Sequence, residues 1–505
     1  MNLIDVKKSW RWTCSILTLA SLFVLNWTLS SHAPPPFTPS FKKAKKSTHK
    51  IPKGQKYTFG YLSVLENRSN PNSQIIQLPV YIFKSRNPNP QPDPIIYTVG
   101  GPGASTMRSA QYMKYYQYLD DRDFILIEQR GNYYARPHLD CPEWADAVYQ
   151  SNLPGFEESN SEALFAKAAK TCKERLIKKG IDLNSYHTRE IAADIADLRK
   201  ALGFDQYNLL TISYSTKIAQ VLLRDYPEGI RSVVMDSPLP LEVSYDEESV
   251  GHLMATLDQV LSDCEADAKC NAAFPQLKKR LSDYLIEKTQ TPLMVDVVNP
   301  ETGRNETFAL KGKDLIFLFS DASTNQVPNI PMGIAQLLKG DLSLLKEQLV
   351  QFFEKPSGGM SMGMRLSVWC AEEYPFNDQE IIKKETWRYP EVQGLAPQTV
   401  DAAICEIWGV APMPAFENQA IQSEVPVLLM SGEYDYLTPA IWAKNMQSNL
   451  SNSHHLIFPG WKHTVTTNWG NPCAMEAANQ FFNHPEQRPM PTCLEEMGGV
   501  EFRTE

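Results

Sequence analysis

Four short stretches of this chain set a reactive side chain, or a bare backbone, just past an apolar run. The first is Asn208-Leu-Leu-Thr-Ile-Ser213-Tyr-Ser-Thr-Lys-Ile-Ala-Gln220, a strand-like run, a serine and a helix-like run with no room for a loop between them. A serine on so sharp a turn projects its hydroxyl above a sheet, with a helix N-terminus facing any oxyanion that develops, so Ser213 is the candidate nucleophile. The usual pattern is G-x-S-x-G, because Cβ atoms two residues either side of the serine crowd the turn; here those positions hold Thr211 and Ser215. The second stretch is Gly100-Gly101-Pro102-Gly103 after Tyr97-Thr-Val. Glycines let a backbone come close and point N–H groups at a substrate, so Gly100 and Gly101, with the Tyr214 N–H, are the candidate oxyanion donors.

The third stretch, Gly432-Glu433-Tyr434-Asp435-Tyr436-Leu437-Thr438-Pro439, follows a run ending at Met430, and Asp435 is the candidate for orienting an imidazole, with Glu433 as its competitor. The fourth is Gly460-Trp461-Lys462-His463. His463 alone among the nine histidines lies just beyond a late core run, whereas His454 and His455 fall at that run's beginning. Ser213, Asp435 and His463 occur in the chain order nucleophile, acid, base that α/β-hydrolases use. In that chemistry the histidine takes the serine proton, the serine attacks a carbonyl, and water later releases the acyl group.

Such groups converge only if a parallel sheet brings the C-terminal ends of its strands together. The runs Pro94-Ile-Ile-Tyr-Thr-Val and Asp123-Phe-Ile-Leu-Ile lack alternation, as central strands covered on both faces do. Ile191 to Leu202 has helical spacing and stops at Gly203; Lys217 to Asp225 is helical; Ser232-Val-Val-Met is a strand. Tyr57 to Leu65 and Ile75 to Phe83 form an antiparallel pair at an edge. The rhythm stops over residues 238–423, which read as an inserted, mainly helical cap, and resumes over 424–505. The expected core is therefore 57–237 plus 424–505, an α/β fold with a mostly parallel sheet.

Composition narrows the function. With 43% hydrophobic residues over 505 positions the chain can bury a large core, and a net charge of -9 offers no basic footprint for nucleic acid. Lys7, Lys8 and Arg11 precede an apolar run from Cys14 to Leu29, so residues 1–33 read as an export signal, or as a membrane anchor if retained, since Pro34 makes the bond after Ala33 a poor cleavage site. Residues 34–56, Pro-rich and then Lys-rich, read as a tether that buries nothing. The other eight cysteines imply disulfides in an exported chain. Eight cysteines allow about 105 connectivities, and their order suggests neighbours: Cys141–Cys172, Cys264–Cys270, Cys370–Cys405 and Cys473–Cys493. No zinc-type C-x-x-C and no H-E-x-x-H is present, so neither a metal nor a cofactor is expected.

From Phe59 to Cys493 the chain resembles the α/β-hydrolase family of proline iminopeptidases and tripeptidyl aminopeptidases. The likeness rests on Phe59-Gly-Tyr-Leu-Ser-Val-Leu-Glu-Asn-Arg, Gly100-Gly-Pro-Gly, Glu128-Gln-Arg-Gly, Leu139-Asp-Cys-Pro-Glu, Ser367-Val-Trp-Cys-Ala-Glu-Glu-Tyr-Pro-Phe, Gly432-Glu-Tyr-Asp-Tyr-Leu-Thr-Pro and Pro459-Gly-Trp-Lys-His. Asn132-Tyr-Tyr-Ala departs from the glycine and serine usual after Arg-Gly. The resemblance implies an α/β-hydrolase fold, a serine aminopeptidase and a peptide substrate with a free N-terminus. It further implies that a cap carboxylate, by position Glu372 or Glu373, holds the substrate's amine. An esterase or lipase on the same three residues is the second reading, because the cap selects the substrate; a binding protein with an impaired elbow is the third.

Overall fold

The computed structural model describes residues 37–320, 323–354, 359–395 and 400–505. The expected export segment, residues 1–33, lies outside the described residues. Nine strands form the main sheet: β1 (Ser40–Lys43), β2 (Tyr57–Leu65), β3 (Ile75–Phe83), β4 (Ile95–Thr98), β5 (Phe124–Ile127), β6 (Tyr207–Ile212), β7 (Ile230–Asp236), β10 (Val427–Gly432) and β11 (Ser453–Phe458). Their order across the sheet is β1-β2-β3-β5-β4-β6-β7-β10-β11. From β5 to β11 every neighbouring pair is parallel, and β1, β2 and β3 add an antiparallel edge.

The apolar runs work as two-sided strands. In β6, Leu209 packs into the cluster on one face while Leu210 and Ile212 pack into the cluster on the other; Val233 and Val234 of β7 divide in the same way. One face is covered by the helices Thr188–Leu202 and Ser215–Asp225, the other by Cys473–Asn483. Gly203 closes the first helix at φ 73°, a left-handed cap that a Cβ would disfavour. The registers Thr98↔Thr211, Ile212↔Asp236, Met430↔Asp236 and Gly432↔Phe458 align the strand ends on one edge.

Two expectations need revision. The stretch expected as a tether is not simply one over its described residues, 37–56, because β1 pairs with β2, and the Tyr81 hydroxyl accepts the His49 N–H at 3.0 Å and lies 3.0 Å from the Thr48 hydroxyl. The register pairs Phe41 with Leu62 and Lys43 with Gly60, and the Phe41 ring lies over Gly60, where a Cβ would stand 2.6 Å from it. Strand pairing is made by backbone, and lysines suit an exposed edge, so composition concealed it. The stretch between β7 and β10 also contains a separate hairpin, β8 (Leu293–Val298) with β9 (Asn305–Leu310), and its buried residues divide between two clusters. Leu253, Leu281, Phe308 and Ile334 share their own core, whereas Met364, Trp369, Ile404 and Trp408 are buried in the core beneath the sheet. All four disulfides join the expected neighbours.

Candidate active site

Ser213 ends β6 at φ 57°, outside the comfortable range of an L-residue, and the helix Ser215–Asp225 starts two residues on. The Ser213 N–H donates to the Asp236 carbonyl at 2.9 Å, which fixes the turn to β7. Ser215 has made its hydroxyl part of the elbow: the oxygen accepts the Ile212 N–H at 2.8 Å and lies 2.8 Å from the Thr98 carbonyl, to which its proton can be donated. The room that glycines give in the usual pattern is supplied from the facing loop. A Cβ on Gly100 would lie 2.8 Å from the Ser213 Cβ and 2.9 Å from the Tyr214 nitrogen, so only a glycine brings that loop against the elbow.

The Gly100–Gly103 loop is held from two sides. From the core, Gln129 donates to the Val99 carbonyl at 2.6 Å, Asn132 donates to the Ala104 carbonyl at 2.7 Å, and Glu128 accepts from Ser105 and from the Met107 N–H. Burial pushes the Glu128 carboxyl up to about 7 despite these hydrogen bonds. From the inserted segment, Arg365 donates to the Gly101 carbonyl at 2.9 Å and the Ser361 N–H to the Gly103 carbonyl at 2.9 Å. Glu128, Gln129 and the departing Asn132 therefore buttress the loop, a role that only their adjacency in space discloses.

Asp435 lies just past β10 and His463 past β11, and their facing atoms, Oδ2 and Nδ1, are 2.7 Å apart. Asp435 also accepts the Leu437 and Thr438 N–H groups at 3.0 Å and the Thr438 hydroxyl at 2.8 Å. Burial alone would raise Asp435, but His463 and these donors more than offset it and hold the carboxyl below its usual value. For His463 burial acts downward, and the Asp435 carboxylate, with a smaller contribution from Asp236, overrides it and holds the imidazole above its usual value. Glu433, the competing carboxylate, turns away and accepts the Gly460 N–H at 2.7 Å. A cavity of ≈ 390 Å³ opens beside His463, walled by Asp435, Tyr436, Lys462, Asn468 and Trp469 among others.

A family model described as "alpha/beta hydrolase fold" matches residues 93–270, and one described as "TAP-like protein" matches residues 395–492. With its mostly parallel nine-stranded sheet, the chain has the α/β-hydrolase fold. It is 23% identical over 464 residues to "Serine protease Hip1" of Mycobacterium tuberculosis, with 86% of each chain covered. It is 28% identical over 188 residues to "Tripeptidyl aminopeptidase" of Streptomyces coelicolor, covering 35% of this chain and 34% of that one. The protein is a serine hydrolase.

Within this α/β-hydrolase, Glu372 and Glu373 sit on one π-helical turn, Trp369–Glu373, both buried. Glu372 accepts the Thr188 N–H and hydroxyl, each at 2.5 Å, and the Thr188 hydroxyl also meets the Tyr214 hydroxyl at 2.8 Å. Burial pushes the Glu372 carboxyl up to about 7, opposed by Thr188. Glu373 pairs with Lys217 of the elbow helix. Both carboxylates thus contact the elbow or its immediate support rather than the Asp435–His463 pair. Among the described residues the one cluster within ligating distance of a metal ion, Cys141, Glu143 and Cys172, consists of a disulfide and a carboxylate bound to Arg175.

Asp236 is the residue that sequence reasoning missed. Its Oδ1 accepts the Val465 N–H at 2.9 Å and lies 3.0 Å from the Ser237 hydroxyl; its Oδ2 accepts the Thr466 N–H at 2.8 Å and the Thr466 hydroxyl at 2.5 Å. It occupies the C-terminal end of a parallel strand beside β6, the strand that leads to Ser213, and that position was the available signal.

Proposed function

We propose that this is an exported serine aminopeptidase of prolyl or tripeptidyl type, acting on peptides with a free N-terminus through Ser213, Asp435 and His463. The observation that carries the reading is the 2.7 Å contact between Asp435 and His463 at strand ends aligned with the Ser213 elbow. With Nδ1 held by Asp435, the His463 Nε2 takes the Ser213 hydroxyl proton as Oγ bonds to the substrate carbonyl carbon. The carbonyl oxygen becomes an oxyanion, and the Tyr214 N–H with a Gly100 or Gly101 N–H stabilises it. Its collapse breaks the C–N bond, and His463 returns the proton to the departing amine. Water, deprotonated by His463, then cleaves the acyl-Ser213 ester.

Selection of a free amine is assigned to the buried carboxyl groups of Glu372 and Glu373, because a charge-assisted hydrogen bond to an ammonium both orients it and rejects a blocked terminus, and the ammonium's own charge favours the ionised carboxylate. The four disulfides support export, and no described helix is long and apolar enough to cross a membrane. A second reading, esterase, gains from the fact that Thr188 and Lys217 already engage these two carboxylates. A panel of free and N-acetylated peptide amides with short-chain esters separates the two. The aminopeptidase reading expects free peptides to be preferred and Glu372→Gln or Glu373→Gln to raise KM for them while sparing esters. Equal turnover of free and acetylated peptides overturns it.

A further inference from the structure

Among the described residues, four other than glycine have a positive φ, and three of them meet at one point: Ser213 at 57°, Ser237 at 54° and Thr464 at 66°. The Ser213 N–H donates to the Asp236 carbonyl, and the Thr464 N–H to the Ser237 hydroxyl at 2.8 Å. Backbone held in this region persists only where its surroundings over-determine it, and such sites cluster where geometry matters for chemistry. The surroundings here are Asp236, wholly buried, whose side chain grips the turn directly after His463 while its main chain grips the nucleophile's turn.

We propose that Asp236 is a positioning residue that sets the separation and orientation of Ser213 and His463 by binding both of their turns at once. The assignment rests on the serine-hydrolase reading of those two residues. N–H groups donate to each of its carboxylate oxygens and a hydroxyl lies against each; burial pushes the carboxyl up, and these donors oppose that shift by favouring the anion. That anion is a second negative charge near the imidazole, after Asp435. The other titratable groups facing Asp236 are the phenols of Tyr97 and Tyr118, both pushed well up, chiefly by burial, and so neutral throughout the working range. Tyr245, which faces Asp435, is likewise pushed above its usual value, chiefly by burial, and His463 is the one group of this set whose charge changes near neutrality.

The test is fluorophosphonate labelling of Ser213 in the full chain, resolved into a saturating rate and a binding constant across pH. Asp236→Asn presents an amide N–H₂ to N–H donors, so it loosens one turn and removes the charge together. The saturating rate should fall by about 10²-fold, the cost of roughly 1 Å of misplacement, with probe affinity unchanged. The acid midpoint of the rate should also move to lower pH, which a purely structural defect would not cause, since loss of a nearby anion eases deprotonation of His463. A folded Asp236→Asn protein that labels at the parental rate, or whose midpoint does not move, overturns the proposal. Should that variant fail to fold, Thr466→Val decides: it removes a single hydroxyl from Asp236 and should lower the saturating rate several-fold at unchanged affinity, whereas a parental rate overturns the proposal. If the parent protein itself is not labelled at Ser213, the serine-hydrolase reading fails and takes this assignment with it.

Discussion

Replacing Gly100 by alanine adds one methyl group at the narrowest point of the site. An ideal Cβ there would stand 2.8 Å from the Ile212 carbonyl oxygen, 2.8 Å from the Ser213 Cβ and 2.9 Å from the Tyr214 nitrogen. Carbon atoms rest at about 3.5 Å or more, so the overlap with Ser213 alone is roughly 0.7 Å. None of the three atoms can swing aside, because all belong to a turn pinned through the Ser213 N–H to β7 and through the Ser215 hydroxyl to β6. The loop carrying Gly100 must therefore retreat by a similar distance. Withdrawal of an oxyanion donor by this much should lower kcat by about 10²–10³-fold with KM nearly unchanged, and overpacking should cost about 1–3 kcal/mol of stability. Steady-state kinetics on an activated ester, paired with a melting curve, reads both. Gly100 carries no positive φ, unlike Gly101 at 118°, so backbone strain does not complicate the result. A variant that keeps kcat within about threefold of the parent refutes the assignment of this loop to the oxyanion.

Ser213→Ala and His463→Ala should each reduce kcat by about 10⁴-fold or more, and Asp435→Asn substantially; Glu433→Gln, at a side chain that accepts the Gly460 N–H instead of meeting His463, should leave kcat near the parental value. Equal damage from Glu433→Gln and Asp435→Asn would reassign the acid. His463 must be neutral to act as a base, and Asp435 holds it above the ordinary 6.5, so kcat/KM should fall as pH drops through that raised value. In Asp435→Asn the same limb should move to lower pH, and an unmoved limb in a pH titration contradicts the pairing. Alkylation of the unreduced exported protein with mass spectrometry should find no modified cysteine among the eight bridged ones. Lys217→Met strands Glu373 in the core and should destabilise by about 3–5 kcal/mol, while Lys217→Met with Glu373→Leu should recover most of that loss in a denaturant titration.

Strand-end residues were legible because each follows a short apolar run, and a parallel sheet converts that local pattern into a shared place. Ser213, Asp435 and His463 were all picked out as candidates in this way, and Gly100 by its lack of a side chain. Asp236 was passed over because Ser232-Val-Val-Met-Asp reads as a strand that simply ends, and its partners, Val465 and Thr466, lie more than two hundred residues away. β1 was hidden for a different reason: its partner is a backbone, and backbones leave no trace in composition. Glu372 and Glu373 were placed by resemblance alone, and their contacts with Thr188 and Lys217 required two helices to be brought together in space.

The bonds from Arg365 to Gly101 and from Ser361 to Gly103 bear on how such an enzyme can be re-engineered. Transplanting the whole stretch between β7 and β10 from a relative, in order to borrow its substrate range, would discard the outer fastening of the loop proposed to hold the oxyanion. Substrate choice and speed are thus coupled: a graft that improves the fit of a new substrate moves the residues that keep Gly100 against Ser213. A transplant that retains residues 360–365 and exchanges only the separately cored part around Leu253, Leu281 and Ile334 keeps the two properties apart.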